Sequence, residues 1–278
     1  MKQEKMLEKI LQWAKENDSV KLIIQTGSFA RKDNSADDLS DLDLEIFVNN
    51  VERYSSSNNW IKEIQNYWVI LPLVNTVGDP TRLVIFDDGI KVDFTLNKVE
   101  DFHKIIEKQS DDNYFNKGYK VIIDKDNLTE NFKPPTFKSQ FTPKPTQEEF
   151  TALIEEFWFE AYHIPKYLKR NSLWIVKFRD WTMKQLLLRI IEWYEKSIHG
   201  WDYDTWDNGV RMEKWAEKDL YEEFNNIFAH FDKEDSMKAL EAMLSLFRKV
   251  GKETATNLNL SYPKEVDKNI TSYINSLK

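Results

Sequence analysis

Residues 131–146, NFKPPTFKSQFTPKPT, divide this chain. Four of its eight prolines fall here. Each removes a backbone donor and fixes φ, so no regular helix or central strand crosses the segment. The hydrophobic period differs on its two sides. Ahead of it, residues 1–17 carry Met6, Ile10 and Trp13 with Leu7, Leu11 and Ala14 at helical spacing. Strand patterns follow at Val20–Gln25, Leu42–Val48, Trp68–Leu71, Arg82–Phe86 and Ile90–Leu96, interrupted by a helix expected over 55–66. Asp87-Asp88-Gly89 between the last two strands is a hairpin signal. Beyond the proline segment, Thr146-Gln-Glu-Glu149 has capping-box spacing. Helical patterns then cover 147–164, 173–198, 213–230 and 235–256, with Pro165 expected to end or kink the first. The expected organisation is an α/β domain over 1–130, a linker over 131–146 and a helical domain over 147–278.

Bulk properties narrow the function. The net charge of −8 argues against nucleic acid as partner and favours cationic ligands. No apolar window reaches the roughly eighteen residues of a membrane span, and the charged amphipathic start, MKQEKMLEKILQWAKEN, is not a signal peptide. The absence of cysteine excludes disulfides and thiolate metal sites and fits a cytoplasmic location. The chain is expected to be a monomer, independent of membranes and nucleic acid.

Chemistry concentrates in GSFARKDNSADDLSDLD, residues 27–43, which holds five aspartates. Asp33, Asp37 and Asp38, with Asn34 and Ser35, have the composition of a solvated turn. Asp41 and Asp43 start a strand and point the same way, opposite Leu42, Leu44, Ile46 and Val48. Two carboxylates so close raise each other's pKa unless a cation holds both ionised. Upstream, Gly27 permits a tight phosphate turn and Ser28 adds a hydroxyl. Asp93, on the polar face of the later hairpin strand, could complete a triad of the kind that holds metal ions for phosphoryl transfer.

With these residues the chain resembles the nucleotidyltransferase superfamily related to DNA polymerase β, and more narrowly the aminoglycoside 6-adenylyltransferases (streptomycin adenylyltransferases). The resemblance lies in GSFARKDNSADDLSDLDLEIFV, LVIFDDGIKVDFTL, VIIDKDN and EEFWFEAYHIPKYLKRN. Phe29 departs from the arginine expected after Gly-Ser, and Arg31 takes that role in the commoner GSxAR form. The resemblance implies an α+β chain in which a polymerase β-like mixed sheet precedes an all-helical domain, with the active site between the two. It implies transfer of AMP from ATP to a hydroxyl of a streptomycin-class aminoglycoside, with Mg2+ and release of pyrophosphate, as an antibiotic-resistance activity. Asp41 and Asp43 would be metal ligands, and Asp93 a third ligand or the general base. Gly27, Ser28 and Arg31, with Lys166, Arg170 and Lys177, would contact the nucleotide.

A cationic, hydroxyl-rich acceptor needs carboxylates and flat apolar surfaces. Glu156, Trp158 and Glu160 in one helix, and Asp202, Asp204 and Trp206 in WDYDTWDN, are the expected acceptor contacts. Spacing alone reads Trp158, Trp174, Trp181 and Trp193 as helical core. His103, His163, His199 and His230 show no metal-binding spacing. Alternatives are another acceptor (a lincosamide, a protein hydroxyl or an RNA end) or a catalytically silent nucleotide-binding module.

Overall fold

The computed structural model describes residues 2–107, 114–137 and 143–277, so part of the proline-rich segment, 138–142, lies outside the described residues. The chain separates into two compact units, 1–140 and 141–278. Among the described residues, no helix is long and apolar enough to cross a membrane.

The first unit is built on a six-stranded mixed sheet in the order β3-β4-β5-β2-β1-β6. Its strands are β1 (Val20–Thr26), β2 (Leu42–Val48), β3 (Tyr67–Val74), β4 (Pro80–Phe86), β5 (Lys91–Lys98) and β6 (Lys120–Asp124). β2 and β5 run parallel; the other neighbours are antiparallel. The period-two reading of β2 and β5 holds: Leu42, Leu44, Ile46 and Val48, and Val92, Phe94 and Leu96, are all buried on one face. That face is covered by α1 (Lys2–Glu16) through Met6, Ile10 and Trp13 and by α3 (Asn59–Ile64) through Trp60, Ile61 and Ile64. The opposite face is closed toward one end by Leu22, Ile24, Phe47, Phe102, Phe115 and Phe132, the last from the start of the proline-rich segment. The polar residues of β2 and β5 lie on this second face.

The helix expected over 55–66 is shortened to α3, and a separate helix, α2 (Val51–Ser55), capped by the Asn50 side chain, runs ahead of it. Arg82 of β4 holds the turn between the two. Its buried guanidinium donates to the Ser55 carbonyl and to Asn58 Oδ1 (2.9 Å), contacts that a continuous helix would not offer. A further helix, α4 (Val99–Glu107), packs on the second face through Phe102.

The second unit is helical: α5 (Gln147–Lys169), α6 (Leu173–His199), α7 (Met212–Trp215), α8 (Lys218–Glu223), α9 (Lys233–Leu258) and α10 (Lys264–Ser276). The capping box at Thr146 is present in both directions. α5 does not end at Pro165 but runs on to Lys169, because burying Ile164, Pro165 and Leu168 in the core offsets the lost backbone bond. The helix expected over 213–230 breaks into α7, α8 and a short 3-10 turn. Ala216 is extended, the Glu217 N–H is taken by the Glu195 side chain, and Asn225 and Asn226 are weak helix formers. α10 falls outside the helices expected from the sequence.

Candidate active site

Asp41 stands immediately before β2 and Asp43 within it. Parallel pairing sets Asp43 opposite Asp93 of β5, a register that runs unbroken from Leu42–Val92 to Val48–Lys98. Adjacent strands are about 4.8 Å apart, so three carboxylates converge on one patch of the polar face. Lys91, two residues before Asp93, joins them. Its Nζ donates to Asp41 Oδ2 (2.7 Å) and to Asp93 Oδ2 (2.9 Å). Lys91 was no candidate from the sequence, although it shares the polar face of β5; its partner Asp41 lies fifty residues away.

Gly27 fixes the approach to this patch. It has φ of 66°, a region L side chains rarely adopt. A Cβ built there would lie 1.8 Å from Asp43 Oδ2, so the carboxylate occupies the space a side chain would need. A 3-10 turn, Ser28–Ala30, follows directly. Phe29 packs against the sheet core rather than facing the acids. Arg31 is near enough to Asp43 to lower its pKa. Two of the upstream aspartates behave as turn residues: Asp33 Oδ1 accepts from Ser35 N (2.9 Å), and Asp37 Oδ1 from Leu39 N (2.9 Å). α1 ties this loop down through Gln3 Nε2, which donates to the Asp38 and Ser40 carbonyls.

The electrostatics follow from the geometry. Burial, then repulsion from Asp93, raises the Asp43 pKa to about 6 against the pull of Lys91 and Arg31. Burial also raises Asp93. Burial opposes the charge on Lys91, but hydrogen bonds to Asp41 and Asp93 outweigh it and raise the ammonium pKa. Next along the same face stands Glu45, a fourth carboxylate that the sequence reading left out of the site. Burial lifts its pKa to about 7, although it accepts from Asn97 Nδ2 (2.7 Å) and Tyr114 Oη (3.2 Å). Glu45, Asn97, Tyr114, Asn75 and Asp79 line a cavity of about 470 Å³. The alternation Asp41-Asp43-Glu45 was the signal that could have added it.

This group fits Mg2+. Its donors are the hard carboxylate oxygens that Mg2+ selects, and Asp93 Oδ1 is buried without a hydrogen-bond partner among the described residues. Carboxylates that push one another's pKa upward are relieved when a divalent cation adds its charge.

The remaining expected contacts belong to the helical unit, and burial sorts them. Trp158 is a correction: it is fully buried, with Nε1 donating to Tyr262 Oη (3.2 Å), so it offers no stacking surface. Glu160 is buried and accepts twice from Arg179 Nη1 (2.7 and 2.9 Å), which uses up its charge within the unit. Lys177 Nζ donates to the Ala229 carbonyl (3.0 Å). Lys166 stands over the Tyr162 ring at 4.2 Å, and Arg170 is exposed at the end of α5. Glu156 and Asp202 are exposed, while Asp204 accepts from Trp206 N (3.0 Å) and the Trp206 ring lies under the Arg211 guanidinium. Of the four tryptophans read as core, Trp158 and Trp193 are buried, but Trp174 is 82% and Trp181 59% exposed.

Comparison with known proteins gives the family. The family model described as streptomycin adenylyltransferase matches residues 1–277. An aminoglycoside 6-adenylyltransferase of Bacillus subtilis (strain 168) is 24% identical over 98% of this chain and 96% of its own length. The same enzyme of Campylobacter jejuni is 26% identical over 95% and 92%. A crystal structure of an aminoglycoside 6-adenyltransferase from Bacillus subtilis aligns over 98% of this chain and 97% of its own, at 21% identity and a TM-score of 0.48.

Proposed function

The chain belongs to the streptomycin adenylyltransferase family, and we propose that it moves AMP from ATP to a hydroxyl of a streptomycin-class aminoglycoside, releasing pyrophosphate and conferring resistance. The observation that carries this reading is the parallel register that sets Asp43 beside Asp93, with Asp41 tied to β5 through Lys91. Asp41, Asp43 and Asp93 would hold Mg2+. When bound, the metal neutralises phosphate charge and lowers the pKa of a coordinated hydroxyl. The chain's own residues do the rest. Gly27 and the Ser28 turn present backbone N–H groups and a hydroxyl to the triphosphate, and Arg31 and Lys91 add positive charge beside the reacting phosphate. Asp93, whose buried Oδ1 has no hydrogen-bond partner among the described residues, would take the proton of the acceptor hydroxyl. In the helical unit, Lys166 and Arg170 remain the proposed triphosphate contacts. Glu156, Asp202 and Asp204 are the proposed acceptor carboxylates; Trp158 and Glu160 leave that role.

The test is a panel of aminoglycosides and lincosamides incubated with ATP and Mg2+, following pyrophosphate. Release with streptomycin and an adenylylated product by mass spectrometry are expected. No release with any aminoglycoside would sink the reading, and release with a lincosamide alone would move the acceptor class.

A further inference from the structure

The last turn of α6 and the start of α8 bring together a second polar group in the helical unit. Glu195 and His199 are one helical turn apart on α6, so their side chains share a face. Glu217, at the N-cap of α8, meets them: His199 Nε2 lies 3.2 Å from Glu217 Oε1 and 3.4 Å from Glu195 Oε2. One ligand atom from each residue falls within 4.8 Å of the others.

Hydrogen bonding alone does not satisfy this arrangement. Glu195 is 0% exposed. Its Oε1 accepts from Glu217 N (2.9 Å), but Oε2 is buried, has no hydrogen-bond partner among the described residues and lies 3.4 Å from the imidazole Nε2. A histidine Nε2 carries at most one proton and can give it to only one of two carboxylates. A buried carboxylate oxygen without a donor is costly. A metal ion at the centre would use all three atoms at once. Donors around a tetrahedral Zn2+ at about 2.05 Å sit about 3.3 Å apart, close to the two spacings seen here. The Tyr203 ring packs on His199 with centroids 4.5 Å apart, and its hydroxyl donates to the Trp215 carbonyl (3.0 Å), so the imidazole is held in place. His199 and Glu217 are partly exposed, which gives an ion its entry path and leaves room for a water as fourth ligand.

We propose that Glu195, His199 and Glu217 form a Zn2+ site that staples the end of α6 to the start of α8. The histidine has a ligand partner on its own helix, a glutamate four residues earlier, which histidine spacing alone does not reveal. The staple closes the loop 200–216 and so fixes WDYDTWDN, which carries Asp202 and Asp204. Zn2+ that binds only the folded chain adds stability by mass action. The proposal does not depend on the reaction at Asp41, Asp43 and Asp93.

The test uses the full chain freed of metal with a chelator. Co2+ should give the ligand-field bands of a tetrahedral ion in the wild type and in Asp43→Asn, which removes a ligand from the carboxylate group of the sheet unit. His199→Ala should abolish the bands, weaken Zn2+ binding at least about a hundredfold by titration calorimetry, and cancel the rise in Tm that Zn2+ causes in the wild type. Glu217→Gln, at an exposed position, repeats the test with little risk to folding, and circular dichroism establishes that each variant is folded. An octahedral Co2+ spectrum in the wild type, or tetrahedral bands that survive His199→Ala, would overturn the proposal.

Discussion

Two sets of buried carboxylates, Asp267 and Glu160 in the helical unit and the acids around Asp43 in the sheet unit, are handled in opposite ways. In the helical unit, Asp267 takes three charge-assisted bonds from Arg248 (2.7–2.9 Å), with Thr271 and Tyr262 filling its remaining acceptor positions. Glu160 is likewise held by Arg179. In the sheet unit, Asp41, Asp43, Asp93 and Glu45 crowd one sheet face, and two cations, Lys91 and Arg31, only partly offset the repulsion on Asp43. Paired charges fix architecture, whereas charges left in mutual repulsion are available to a ligand. Substitutions in these two sets should therefore trade activity against stability with opposite signs.

The largest effect is expected at the centre of the crowded patch. Asp43→Asn should cut adenylyl transfer at least about a thousandfold, or about 4 kcal/mol of transition-state stabilisation. It should leave Tm unchanged or higher, because it removes a buried charge that its neighbours repel. Pyrophosphate release and a thermal melt on the same sample check both halves. Turnover near the wild-type rate would remove Asp43 from the site, and a collapsed Tm would make it structural.

Arg248→Ala should behave in the reverse way, destabilising the chain by about 3 kcal/mol because Asp267 is left buried and unpaired. Denaturant unfolding measures it. Arg248→Met combined with Asp267→Leu should recover most of the loss, which separates an uncompensated charge from lost packing. If the double variant is no better than Arg248→Ala, the pair does more than neutralise itself.

Glu45 gives a pH-resolved version of the contrast. Burial raises its pKa from the ordinary 4.5 to about 7. An acid with a raised folded-state pKa keeps a proton that the unfolded chain releases, so stability falls as pH rises from about 4.5 through about 7. Glu45→Gln should then be more stable than the wild type by on the order of 2 kcal/mol above pH 8 and no more stable near pH 4, measured by unfolding in a chelator. A difference independent of pH would mean that Glu45 is not protonated on folding.

The sequence made local geometry legible and left contacts between distant segments hidden. Asp41, Asp43 and Glu45 share a face because strand periodicity is a property of neighbours, and the buried Leu42, Leu44 and Ile46 confirm it. Asp43 and Asp93 meet only because β2 and β5 pair in parallel, with two further strands and two helices between them in sequence. No periodicity announces that pairing; strand alternation offered Asp93 only as an acid on a polar face that could complete the triad. Lys91 was hidden for the same reason, its partner Asp41 lying just ahead of another strand. Arg82 holds the turn between α2 and α3 through contacts with Ser55 and Asn58, from a strand more than twenty residues further along the chain.

Helix periodicity has a matching blind spot, and it sets the smallest prediction. Spacing puts Trp174, Phe178 and Trp181 on one face of α6, as it puts Trp158 on the inner face of α5, but it does not say what covers a face. Trp158 is fully buried under Tyr262 and Arg248. Trp174, Phe178 and Trp181 are 82%, 61% and 59% exposed. Trp174→Ala should therefore change stability by less than about 0.5 kcal/mol, while Trp158→Ala should cost about 4 kcal/mol through the cavity it leaves. If the exposed row stacks on the acceptor, Trp174→Ala will raise KM for the aminoglycoside and leave KM for ATP unchanged. Unaltered constants for both substrates would reduce the row to bare surface, and a large loss of stability would mean that α6 is covered there after all.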